Sequence, residues 1–204
     1  MELYARFLWE AGVAQIRTAP PWFQWSSGIE SPIYVDHRRL LAHPTWRRWV
    51  VETLAKKLST AGYTFRAVVG IATGGIAWAA WLGDYFGLPV GYVRPQPKVH
   101  GLSRRVEGLT EPTSVLLIED LISTGQSSHR VAAILREEGF HVAAVAALWT
   151  YDLPSDLLKA YPVICLLSFP HAIAYWQKIG FLSSDTIHAL RQWHKKLSDM
   201  QKKE

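Results

Sequence analysis

Two stretches of the chain share one design, and that design restricts the fold more than any other feature. Residues 66–93, RAVVGIATGGIAWAAWLGDYFGLPVGYV, read as an apolar strand, a glycine turn, a helix ending near Gly87 and a second strand. Residues 114–148, SVLLIEDLISTGQSSHRVAAILREEGFHVAAVAAL, repeat that order. Strands alternating with helices predict an α/β fold, with a parallel sheet and right-handed crossovers. In such sheets ligands bind at the carboxyl ends of strands, where both glycine turns fall.

The flanking segments read more simply. ELYARFLWEAGVAQI, residues 2–16, places Leu3, Phe7, Leu8 and Ala11 at helical spacing, and Pro20 and Pro21 forbid its continuation. WFQWSSGIESPIYVDHRRL, residues 22–40, reads as short strands around a Ser-Gly turn. Residues 43–62 read as a helix, with Pro44 suited to its first turn and Gly62 past its end. The segment 94–113, RPQPKVHGLSRRVEGLTEPT, is rich in Pro and Gly and has no sustained periodicity, which marks a functional or disordered loop. Beyond Leu148 the pattern predicts a loop, a helix and a strand through residue 169, then helices over 171–180 and 183–200.

Composition bounds the function only loosely. At 204 residues with 49% hydrophobic and 19% charged side chains, the chain is most simply one soluble domain. Glu2, Arg6 and Glu10 interrupt any signal-peptide pattern, and the uncharged run 67–83 is too short to span a membrane. Cys165 is alone, so no disulfide framework exists and a cytoplasmic location is the default. A net charge of +5 leans toward anionic partners without selecting one. The ten tryptophans are scattered, as core or hood packing would have them.

The second glycine turn carries the chemistry. Ser123, Thr124, Gly125, Gln126, Ser127 and Ser128 precede a helix, so backbone N–H groups and the helix dipole can converge on an anion. Neither a Walker A sequence nor a dinucleotide fingerprint is present. Taken alone, the turn reads first as a helix cap by Ser127 or Ser128. The adjacent Glu119 and Asp120 shift that balance, because neighbouring carboxylates at a strand end accept hydrogen bonds from vicinal hydroxyls and favour developing positive charge. A ribose 5-phosphate satisfies both halves.

The run VLLIEDLISTGQSS resembles the phosphoribosyl pyrophosphate (PRPP) motif of type I phosphoribosyltransferases: aliphatic strand, two acids, two aliphatics, then Ser-Thr-Gly and a following Ser. SSGIESPIYVDHR resembles the amino-terminal hood signature of the orotate phosphoribosyltransferases, YVRPQPKVHG resembles their catalytic loop, and GIATGGIA stands at the pyrophosphate-side turn. The resemblance implies the type I phosphoribosyltransferase fold, a central mostly parallel sheet flanked by helices with a small hood. One domain would span residues 1–204: helix and hood at 1–45, α/β core at 46–168 with a lid loop at 94–108, and carboxy-terminal helices at 169–204. It also implies transfer of 5-phosphoribosyl from PRPP to orotate, giving orotidine 5′-monophosphate (OMP) and pyrophosphate in pyrimidine synthesis. Magnesium would be held through PRPP and water and not directly by the chain.

Carried onto this sequence, the resemblance makes Lys98, His100 and Asp120 the catalytic groups. PRPP would be bound by Arg94, Lys98, His100, Thr73, Gly74, Glu119, Asp120, Leu121, Ile122 and the turn from Ser123 to Ser128. Ser123 and Tyr34 would meet the base, and Asp36 and Arg38 read as a salt bridge holding the hood. Arg94, Lys98 and His100 would serve the partner's site in a homodimer with shared active sites, with no role for nucleic acid or membrane. The sequence departs from the common pattern at Gly74 and Pro95, where many members carry Lys, at Glu30, where a Lys is expected, and at Trp149 and Thr150, near where an Arg often meets the orotate carboxylate. Two other readings remain open here: transfer to another base, and a PRPP-binding regulator without turnover.

Overall fold

The computed structural model describes residues 1–25, 27–94 and 105–202. The chain opens with helix α1 (Glu2–Glu10) and the short strands β1 (Ala14–Ile16), β2 (Phe23–Gln24), β3 (Glu30–Ser31) and β4 (Ile33–Val35). A 3-10 helix over His37–Ala42 leads into α2 (Pro44–Thr60). The first unit is then β5 (Ala67–Ile71), α3 (Gly74–Phe86) and β6 (Val90–Val93), and β7 (Val106–Glu107) follows. The second unit is β8 (Ser114–Ile122), α4 (Gln126–Glu137) and β9 (His141–Thr150). β10 (Val163–Ser168), α5 (Phe169–Lys178) and α6 (Ser184–Gln201) complete the order.

The main sheet runs β10-β9-β8-β5-β6-β7, with every pair parallel except β6 with β7. After β5 the chain steps outward to β6, and after β8 it steps outward to β9 in the opposite direction. The order therefore reverses between β5 and β8, and a crevice opens at their carboxyl ends. Every residue of β5 is buried, as a central parallel strand covered on both faces requires. Along β8 the alternation sorts residues to two cores. Leu116 and Ile118 pack with Val68, Trp78 and Leu82, whereas Val115 and Leu117 pack with Val131 and Leu135. Each fully buried Leu or Val contributes about 1.5–3 kcal/mol.

The hood comprises two small antiparallel pairs, β1 with β4 and β2 with β3. The carboxy-terminal helices anchor it. Trp193 Nε1 donates to the Glu30 carbonyl at 3.0 Å, and Trp176 Nε1 to the Ala5 carbonyl at 2.8 Å. Trp78, Trp149 and Trp176 are fully buried core, in keeping with the packing role expected of most tryptophans. Among the described residues no helix is long and apolar enough to cross a membrane.

Three local expectations are corrected. α1 stops at Glu10, because Gly12 turns the backbone at φ +63° well before the prolines. Its buried face is centred on Tyr4, Ala5 and Leu8, and Leu3 is 57% exposed. No helix forms between Tyr151 and Pro162. Pro154 and Pro162 leave seven residues between them, too few for an isolated helix, and Ser155 Oγ caps a turn by accepting from Leu157 N–H. Finally, part of the long Pro/Gly segment is strand, since Val106 and Glu107 pair with Val93 and Tyr92.

Candidate active site

A cavity of about 440 Å³ lies at the reversal of strand order, between the hood and the carboxyl ends of β5 and β8. Glu119 and Asp120 are not at the last residue of their strand, because β8 continues through Ile122. Their adjacency sends them to opposite faces of the sheet. Glu119 turns toward α4, where it accepts a short hydrogen bond from Ser128 Oγ. Asp120 turns toward α3, and a Cβ built on Gly74 would stand 2.5 Å from its carboxyl oxygen. Each carboxylate thus meets the opening turn of one helix, an end that favours negative charge.

Burial works against that charge. Glu119 is 9% exposed, and desolvation pushes its carboxyl up to about 7, with the Ser128 hydrogen bond opposing and Asp120 adding to the rise. Desolvation raises Asp120 as well, while backbone N–H groups and the charge of Arg38 pull it back.

The Ser-Thr-Gly turn has a different anatomy from a serine cap. Gly125 caps α4 at φ +84°, with no side-chain cap, and Ser127 and Ser128 lie inside the helix. A side chain at Gly125 would point at Leu158, 3.2 Å from its Cδ1, and not at a ligand over the turn. The glycine is therefore required by its left-handed backbone.

The fold brings together Tyr34, Thr73, Gly74, Glu119, Asp120, Leu121, Ser123, Gly125 and Ser127, all of which line the cavity. Ile122 and Thr124 are buried at 6% and 4%, with Ile122 packed in the α4-side core. Ser128 is spent on Glu119, and Gln126 is exposed. Arg94 lies apart from the cavity lining, with its guanidinium donating to Tyr92 OH at 3.2 Å. Lys98 and His100 lie outside the described residues.

Sequence reading missed Gln24, Trp25, Val35 and Tyr151, which complete the hood side of the lining. Trp25 and Tyr151 meet with ring centroids 4.4 Å apart. Tyr151 had a usable signal, since it directly follows β9, whose carboxyl end adjoins that of β8. Trp25 had none, because only the folding back of the hood brings it over the crevice. The Asp36–Arg38 ion pair expected from the sequence forms, at 2.7 Å.

The reversed strand order, the paired acids and the Ser-Thr-Gly turn at a helix start together define a phosphoribosyltransferase, and residues 37–174 match the phosphoribosyl transferase domain. The orotate phosphoribosyltransferase of Porphyromonas gingivalis is 38% identical over 178 residues, 85% of each chain. That of Oceanobacillus iheyensis is 42% identical over 147 residues, 72% of each. A crystal structure of orotate phosphoribosyltransferase from Aeropyrum pernix superposes with a TM-score of 0.74 at 28% identity, covering 88% of this chain and 99% of that one. The chain belongs to the phosphoribosyl transferase domain family, on its orotate phosphoribosyltransferase branch.

Proposed function

We propose that the chain transfers 5-phosphoribosyl from PRPP to orotate, releasing pyrophosphate and OMP in pyrimidine biosynthesis. The observation that carries this reading is one cavity joining paired carboxylates and a helix-opening Ser-Thr-Gly turn to the hood aromatics, in a chain whose relatives bear that enzyme's name. The 5-phosphate sits over Ser123–Ser128, where backbone N–H groups converge at the start of α4. The ribose hydroxyls lie against Asp120 and, behind it, Glu119. The pyrophosphate extends toward Thr73 and Gly74.

In the reaction the bond from the anomeric carbon to the pyrophosphate oxygen breaks and a bond from that carbon to N1 of deprotonated orotate forms. Positive charge builds on the ribosyl ring and negative charge on the leaving group, so catalysis is chiefly electrostatic. Asp120 serves the cationic side. Arg94, Lys98 and His100 of a partner subunit serve the leaving group, with His100 able to pass it a proton. That arrangement makes the active form a homodimer, and the cytoplasm is its setting.

Among the described residues no three His, Cys, Asp or Glu side chains converge to hold a metal. Two carboxylates beside an open cavity fit magnesium carried mainly by substrate oxygens and water. When bound, the ion would neutralise charge on the pyrophosphate. The test is loss of orotate absorbance on addition of PRPP and magnesium. Steady loss matched by OMP formation is the expected result. No loss with orotate, combined with pyrophosphate release for another base, would overturn the assignment.

A further inference from the structure

An orotate acceptor carries a ring carboxylate, and one cation among the described cavity residues can meet it. Trp149, near where an arginine often stands in similar sequences, is fully buried. Thr150 does not line the cavity, and its Oγ1 accepts from Asp152 N–H at 2.9 Å. Glu30 has the wrong sign and lines a separate groove against α6, where Ser27, Trp193 and Lys196 are its neighbours. Within the cavity, Arg38 is the single cation among the described lining residues, which also include Asp36, Glu119 and Asp120.

Arg38 is also held ready. Its Nε donates to Asp36 Oδ1 at 2.7 Å, and one Nη2 hydrogen goes to Tyr34 OH at 2.9 Å. Asp36 Oδ1 additionally accepts from Arg38 N–H at 3.3 Å, at the start of the 3-10 helix. These contacts fix the plane of the guanidinium and leave Nη1 and the second Nη2 hydrogen as an open edge, on a side chain 62% exposed. Such an edge matches a carboxylate with two parallel hydrogen bonds. Tyr34, which shares the arginine, stacks on Phe23 with centroids 5.6 Å apart and so offers a rigid flank to a planar ring.

We propose that Arg38 is the specificity-determining residue of the acceptor site, pairing its open guanidinium edge with the ring carboxylate of orotate. This rests on the orotate reading above, and the experiment separates the two. OMP and uridine 5′-monophosphate differ only by that carboxylate, so equilibrium binding of both to wild-type enzyme, Arg38→Gln and Arg38→Lys isolates the contact. Wild-type enzyme is expected to prefer OMP. Arg38→Gln is expected to lose on the order of 10- to 100-fold in OMP affinity, the scale of a charge-assisted hydrogen bond, and little for uridine 5′-monophosphate. Arg38→Lys should recover part of the preference. The KM for orotate should rise in parallel while that for PRPP stays within about twofold. If Arg38→Gln weakens both nucleotides equally, the arginine only braces the hood and the inference fails. An unchanged preference for OMP, or none in the wild-type enzyme, also overturns it. A wild-type enzyme that turns over another base and not orotate overturns the functional reading itself, and Arg38 falls with it.

Discussion

Gly74 and Glu119 each turn one atom's position into a measurable effect. Similar sequences often carry Lys where this chain has Gly74, yet here a Cβ would stand 2.5–2.6 Å from the Asp120 carboxyl group. Gly74→Ala should leave the fold intact, since an aspartate side chain can swing aside, and should displace the carboxylate proposed above to serve the ribosyl cation. Turnover is expected to fall on the order of 10²-fold, with stability within about 1 kcal/mol of wild type. Steady-state kinetics beside thermal melting separates the two. Glu119 bears on stability. Its carboxyl rises in the folded state from 4.5 to about 7, so the native protein keeps a proton that the unfolded chain has lost. The associated stability is present below about pH 4.5 and disappears as pH climbs through 7, amounting to roughly 3 kcal/mol. His37 runs the other way. Buried without a hydrogen-bond partner among the described residues, it falls from 6.5 to about 3 and loses stability toward acid. Urea unfolding of Glu119→Gln against wild type at pH 5 and 7.5 cancels the His37 contribution. The variant should show the smaller decline with rising pH.

At the scale of elements, the decisive piece is the junction from β8 through the turn to α4. Period two along β8 aims Glu119 and Asp120 at two different helices, and Gly125 supplies the left-handed residue that lets α4 start at Gln126. Gly125→Ala forces φ +84° on a residue with a side chain and presses a methyl against Leu158. A loss of about 1–2 kcal/mol is expected, read as a lower urea midpoint at unchanged slope. PRPP affinity should weaken only as far as the turn shifts. The hood is a second such element. β2 and β3 are two residues each and depend for support on Trp193 of α6, so the acceptor side of the cavity is built by segments at opposite ends of the chain.

For the whole molecule, Lys98 and His100 fall in the sequence between β6 and β7, the edge strand. A homodimer in which those residues complete the neighbour's cavity predicts complementation. Lys98→Ala alone should cut kcat on the order of 10²–10³-fold with PRPP binding nearly kept, because the cation acts most strongly on the charge of the transition state. Asp120→Asn alone should be similarly slow. Mixed and allowed to exchange, the two should form a heterodimer with one intact site, and activity should recover toward half of the wild-type specific activity per heterodimer. Confirmed subunit exchange without recovery would exclude shared sites.

Much of this protein is local in origin and was therefore legible in its sequence. Alternating apolar strands and helices, glycine turns at strand ends and the acid pair beside a Ser-Thr-Gly turn are short-range patterns, and each fixes nearby backbone by sterics and burial. The α/β fold with its parallel sheet follows from them, and the motif they compose carries the resemblance that implied the type I fold. Tertiary structure decided what depends on distant segments meeting. It set the strand reversal that opens the crevice, which helix each of Glu119 and Asp120 meets, and the burial that raises Glu119. It also brought Trp25 to Tyr151 across 126 positions of chain. Arg38 shows the boundary best. Its ion pair with Asp36, two residues away, could be read from the sequence. That it stands as the described cation of the cavity could not, because the alternatives at Glu30 and Trp149 are removed only by the way the hood and β9 pack.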